Sequence, residues 1–378
     1  MPRPRDRSRP STPSSTGAIA FPPVRVMSGP VFEVIAELAA FESGPARASL
    51  ESGKPWIRQV RALAGADLIR RVDRWALGVY AELASIAIEA GPPFDPDRLI
   101  QAIRGMPPGR LHRRLVGVES VPSQSMVSRD AFERALTGDP AARAELRDAF
   151  GPNPSARRSI DRLLTTAPEV VQAEVADIVE AWAARVFPAF ADEALAIVAR
   201  DVAAKERQLA VLPGREVVRV AMSGVDIEPT PSVAEYLLIP TFAMRPFVAP
   251  VDWGSIVMLL CSVADEAFDD DPSAPPRRLV KLAFAVGDET RLRILNALAD
   301  SELTATEIAD RLGADRTSLH HHLGILRSAG LLVIHDDGMR GWRFARAADG
   351  AGDLSAALAD YLGSERPNRA PRGNRAPE

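Results

Sequence analysis

Residues 311–332 read RLGADRTSLHHHLGILRSAGLL. Asp315 is a natural N-cap, and Leu319, His322, Leu323 and Leu326 recur at helical spacing, so the stretch predicts a helix over 316–328. Gly313 before it and Gly330 after it can take the positive φ that ends a helix. Upstream, Thr304 and Glu307 have capping-box spacing, which predicts a helix running to about Leu312. Further upstream, Asp288 can cap a helix over 289–299 whose Leu292, Ile294, Leu295 and Leu298 supply apolar contacts. Downstream, two short strands at 331–335 and 342–345 flank the turn Asp336-Asp337-Gly338-Met339-Arg340-Gly341.

Helix, short turn, helix and β-hairpin make a winged helix-turn-helix. Such a helix presents polar side chains to base edges and free backbone N–H groups to phosphates at its N-terminus. Arg316, Thr317, Ser318, His320 and His321 fall on its first two turns and are the expected groove contacts. Arg316 can read guanine, while Thr317 and Ser318 can meet bases or phosphates. Arg340 and Arg343 in the wing can reach the minor groove or the backbone.

These residues also carry a family likeness. Gly287-Asp-Glu-Thr-Arg-Leu-Arg-Ile-Leu-Asn-Ala-Leu298 resembles the opening signature of the ArsR-type repressors, and 311–332 resembles their recognition helix and its exit. The likeness covers about 275–346. It implies a dimeric, sequence-specific transcriptional regulator, paired through flanking helices, whose ligand changes its DNA affinity. The chain departs from metal-sensing members. They carry Cys on the helix before the turn, where this chain reads Thr304-Ala-Thr-Glu-Ile-Ala-Asp310, or His on a helix after the wing, where 353–362 has none. An organic effector is therefore expected rather than a metal, and no metal site or cofactor. The long region before the module resembles larger actinobacterial ArsR-like regulators.

Of the 378 residues, 46% are apolar and 25% charged, the make-up of an ordinary globular protein. A net charge of −4 hides a gradient. Residues 1–30 carry +4, 31–274 carry −9 and 311–346 carry +3, an asymmetry typical of a nucleic-acid-binding module on an acidic body. One Cys, no apolar signal-peptide core and no long apolar run point to a cytoplasmic protein without a membrane partner.

The fold expected is mainly α: a helical N-terminal domain with a small antiparallel β meander, then the C-terminal winged helix. Residues 1–18 are expected to be a disordered tail and 19–213 a helical regulatory and dimerisation domain. Residues 214–263 would form the meander of that domain, with strands at 217–221, 236–239, 247–251 and 255–263. A linker at 264–276, the DNA-binding domain at 277–362 and a tail at 363–378 complete the division. Three adjacent imidazoles at 320–322 point about 100° apart on a helix and cannot chelate one ion. His322 is expected in the core, His112 and His335 on the surface, and Cys261 as a buried thiol. Trp56, Trp75, Trp182 and Trp253 are expected to pack the core. No Walker A motif, strand-linked GxGxxG, HExxH or nucleophile elbow occurs, so no enzyme is expected. The sequence points to a regulator that binds a palindromic DNA operator as a homodimer. The alternative is a winged-helix protein-interaction module.

Overall fold

The computed structural model describes residues 20–42, 50–75, 80–118, 127–149, 154–227, 229–268, 274–336, 342–347 and 350–363. Residues 1–19 and 364–378, residues 269–273 of the linker and Arg340 lie outside the described residues.

Strand β1 (Val24–Val26) precedes a helical body: α1 (Pro30–Glu42), α2 (Gly53–Trp75), α3 (Tyr80–Ala90), α4 (Pro96–Gly105), α5 (Pro108–Val116), α6 (Arg129–Leu136), α7 (Pro140–Ala149), α8 (Pro154–Thr165), α9 (Pro168–Arg185), α10 (Ala191–Leu209) and α11 (Gly214–Ala221). Six of these helices begin on proline, whose fixed φ suits a first turn and whose missing N–H is no loss there. Asp95 and Ser128 add side-chain caps at α4 and α6. Buried Trp56, Trp75 and Trp182 pack this body as expected, and Trp253 is half-buried against it.

Strands β2 (Val225–Asp226), β3 (Glu235–Thr241), β4 (Ala249–Trp253) and β5 (Ile256–Ser262) follow. Next come α12 (Arg277–Val286), α13 (Glu289–Ala297), β6 (Leu303–Thr304), α14 (Ala305–Leu312), α15 (Arg316–Ser328), β7 (Leu332–Asp336), β8 (Trp342–Arg346) and α16 (Gly350–Gly363). The protein is mainly helical, with small sheets and a winged helix at its C-terminal end, as the sequence predicts.

The meander needs two corrections. First, residues 217–221 are helical, within α11. Val217, Val218 and Ala221 bury one face while Val220 stays exposed, so packing overrides the β preference of three valines. Second, the sheet is mixed, in the order β1-β3-β5-β4. β1 pairs with β3 and β3 with β5 in parallel; only the β4–β5 hairpin is antiparallel. The cause lies in the residues. β3 (EYLLIPT) and β5 (IVMLLCS) are apolar except at their ends, so both of their faces must be covered, and both take inner positions. β4 alternates between exposed and half-buried residues and sits at the edge, where Pro250 forfeits no ladder bond.

Those two faces meet different cores. Ile239, Met258 and Leu260 join the core of the helical body. Tyr236, Leu238, Leu259 and Cys261 join a second core with Leu282, Ile294, Leu326 and Phe344 of the winged helix. The mixed sheet is thus a layer between the two. A second sheet, ordered β2-β7-β8-β6, reinforces the contact, because β2 pairs in parallel with β7 of the wing. Cys261 is fully buried, and burial pushes its thiol pKa up to about 12, which suits an inert structural thiol. His112, expected at the surface, is buried instead, with Nε2 2.5 Å from the Leu163 carbonyl oxygen. It satisfies an orphan carbonyl near the end of α8, a long-range partner that spacing does not reveal.

Candidate nucleic-acid interface

The recognition segment is assembled by caps. The Thr304 hydroxyl accepts the Glu307 N–H at 3.2 Å and the Glu307 carboxylate accepts the Thr304 N–H at 2.7 Å, closing a capping box on α14. These bonds hold the Glu307 carboxyl below its usual range: the Thr304 N–H first, then its hydroxyl. Gly313 ends α14 in the left-handed region at φ 62°, where a side chain would be strained. The chain then turns into Asp315, which caps α15 by accepting the Ser318 N–H at 3.0 Å.

That entry fixes the orientation of α15. Leu319, Leu323 and Leu326 are buried against Ile294, Ile308 and Ala309 of the two preceding helices. Ser318, His320 and His321 are exposed on the other side of the first two turns. Arg316 and Thr317 occupy the first two helical positions. The positive end of the helix dipole adds its field at the same place. His322 is turned away from this face, with Nδ1 buried 3.7 Å from the Asp288 carboxylate. Burial lowers its pKa and Asp288 partly opposes this, so His322 is the inward histidine that the spacing predicts.

In the wing, β7 and β8 pair antiparallel, with Ile334 opposite Phe344 and His335 opposite Arg343. Arg343 is less free than the sequence suggests. Its Nη2 donates to the Glu302 carbonyl oxygen and its Nη1 lies 3.9 Å from Glu307, so it ties the wing to the loop before α14. His335 is half-exposed and its Nδ1 lies 2.9 Å from the Glu302 carboxylate. Trp342 and Arg346 are exposed on β8 and were not singled out by the sequence; the alternation along the strand, with Phe344 inward between them, is the signal that could have placed both outward.

The Asp-Glu-Thr-Arg signature also receives a physical role. Asp288 caps α13 through the Arg291 N–H at 3.0 Å, and this bond leads the effects that hold its carboxyl low. The Arg291 guanidinium is buried, donating at 2.7 Å to each of the Ala285 and Phe284 carbonyl oxygens at the end of α12. It also lies 5.0 Å from the centre of the Phe284 ring. The signature is therefore a corner joint between α12 and α13, and Arg291 is not a DNA-facing residue.

A helix-turn-helix domain family matches residues 286–335. The uncharacterized HTH-type transcriptional regulator MJ1325 of Methanocaldococcus jannaschii is 36% identical over 66 residues, which are 17% of this chain and 72% of that protein. The chain belongs to the ArsR-type helix-turn-helix transcriptional regulators. The HTH-type transcriptional regulator CmtR of Mycobacterium tuberculosis is 36% identical over 90 residues, 24% of this chain. The transcriptional repressor SdpR of Bacillus subtilis is 37% identical over 54 residues, 14% of this chain. The chain spans 66% of the length of CmtR and 60% of SdpR. No solved structure matches the chain. The matched segment lies within the winged helix, and the helical body is additional to it. No helix among the described residues is long and apolar enough to cross a membrane.

Proposed function

We propose that this regulator binds a palindromic operator as a homodimer, with α15 of each copy in the major groove of one half-site. Half-sites about one helical turn apart follow from two-fold symmetry. The observation that carries the reading is the polar row at the capped N-terminus of α15, with Ser318, His320 and His321 outward and three leucines behind them. Arg316 and Thr317 complete the groove contacts. In the wing, Arg340 reaches the DNA, and Arg343 sets the wing's angle and adds charge beside the backbone. The region before residue 264 is the regulatory domain, and it answers to an organic ligand.

The dimer face we favour lies on α12 and α16, which pack together. Val280 and Phe284 on α12 and Leu358 and Leu362 on α16 are spaced four apart and exposed, up to 69% for Leu362. Two short apolar stripes side by side suit a second copy of the same surface, which two-fold symmetry makes self-complementary. Sedimentation velocity with a promoter gel shift tests this. Wild type is expected to run as a dimer, and Phe284→Asp to weaken dimerisation at least about tenfold by burying a charge in the interface, with a parallel loss of operator binding. A Phe284→Asp protein that remains fully dimeric contradicts the assignment.

A further inference from the structure

A cavity of about 270 Å³ opens where the helical body meets the back of the winged helix. Lys205 of α10, Arg245 and Glu266 of the body, and Lys281 of α12 are among its walls, together with Ser328, the last residue of α15. The volume is below that of pockets for drug-sized ligands.

The hydrogen-bonding account of the walls is unbalanced. Lys205 is only 4% exposed, and an ammonium has three N–H donors. Among the described residues its one hydrogen-bond partner is Asp201, whose other oxygen already accepts the Ala264 N–H at 3.0 Å. Lys281 donates to Asp265 and forms an ion pair with Glu51, which leaves it a third donor. Arg245 is spent on Glu51, Asp265 and the Val263 carbonyl oxygen. The spare capacity is thus ammonium N–H on the body side and on the α12 side. The spare acceptor is the exposed Glu266 carboxylate, which has no hydrogen-bond partner among the described residues.

Charge narrows the occupant. The walls hold Lys205, Arg245 and Lys281 against Glu51, Asp201, Asp265 and Glu266, one negative charge in excess. A bare anion adds to that excess, and a bare cation leaves the buried ammonium donors unmet. A zwitterion adds no net charge and satisfies both ends.

The cavity also touches the reading helix. Pro246 lines it, and the Pro246 carbonyl oxygen accepts Nη2 of Arg327 at 3.2 Å. Arg327 is itself buried and precedes Ser328 at the end of α15. A ligand that presses on the segment 245–246 or on Ser328 therefore acts directly on one end of the helix whose other end carries the groove contacts.

We infer that this cavity is the effector site and takes a free α-amino acid or a zwitterion of similar size. The ligand carboxylate lies on Lys205 and Lys281 and its ammonium on Glu266. The inference rests on the reading of the chain as a ligand-responsive regulator, so binding is measured without DNA. Thermal shift and calorimetry on the full-length protein use the twenty common free amino acids, with the N-acetylated and amidated forms of any that bind. At least one free amino acid is expected to bind saturably, and capping either charged end to weaken it about tenfold or more, as loss of a charged hydrogen bond does. Lys205→Met should weaken binding similarly; because Lys205 is buried, Glu266→Gln at the exposed rim is the second variant, with the same expected loss. No stabilisation by any free amino acid, or equal binding of free and capped forms, overturns the site. With the ligand present, affinity for the promoter should change about fivefold or more. Ligand binding that leaves promoter affinity unchanged overturns the coupling alone. Ligand binding by a protein with no promoter affinity faults the regulator reading and leaves the site standing.

Discussion

Trp182→Ala is expected to lower the unfolding free energy by about 3–5 kcal/mol, the cost of deleting a large buried aromatic. Trp182 of α9 is fully buried, 5.5 Å ring to ring from Phe41 of α1. Its Nε1 donates at 2.8 Å to the buried Glu37 carboxylate of α1. One turn earlier, Glu33 accepts the N–H groups of Phe242 and Ala243, at 2.9 and 2.7 Å, just after β3. The indole thus joins α9 to α1, and α1 carries the connection to the sheet. Its loss leaves both a void and a buried carboxyl group without its donor. Urea denaturation measures the effect, and a loss below about 1 kcal/mol would contradict this account of the core.

The same pair sets a pH dependence. Burial pushes the Glu33 carboxyl up to about 7, opposed by its two backbone donors. Burial pushes Glu37 up to about 8, opposed by the Trp182 N–H and reinforced by Glu33. In the unfolded chain both titrate at about 4.3. Between these values the folded protein holds protons that the unfolded chain has released. The stability from these groups is therefore full below about pH 4 and is lost as the pH rises through 7 to 8. Glu37→Gln should flatten the decline in melting temperature between about pH 5 and 8, and an unchanged slope would remove Glu37 from this role.

The double change Arg316→Ala with His320→Ala is expected to cost about 2–5 kcal/mol of operator affinity, or roughly thirtyfold to several thousandfold, at about 1–3 kcal/mol per base contact. Both positions lie on the first two turns of α15 and neither is one of the buried leucines that anchor the helix, so the fold should persist. Binding to unrelated DNA should fall much less, because phosphate contacts elsewhere remain. Undiminished operator binding in fluorescence anisotropy would remove these residues from the interface.

The reading segment was legible because its signals are local. The capping box at Thr304 and Glu307, the cap at Asp315 and the glycines at 313 and 330 each act within a few residues, and all appear where the spacing puts them. The sheet was not, because its pairings are distant. Val24–Val26 is a three-residue strand whose partner begins at Tyr236, and nothing nearby announces it. The run Val217–Ala221 carries strand-forming residues, and only the core it meets makes it a helix. The uninterrupted apolar texture of β3 and β5 did hold the information that both faces are buried, but not which layers bury them. At the interface, the row of exposed residues on α15 was readable from period alone. The tether from Arg343 to Glu302 was not, since it joins residues 41 positions apart.

The central claim is that this chain reads a specific DNA sequence through α15. Fluorescence anisotropy of the full-length protein on its own promoter duplex and on a shuffled duplex of equal composition, at physiological salt, tests it most directly. The account predicts a promoter affinity at least about a thousandfold above the shuffled duplex. Equal affinity for the two duplexes, or no salt-dependent binding to either, would contradict it.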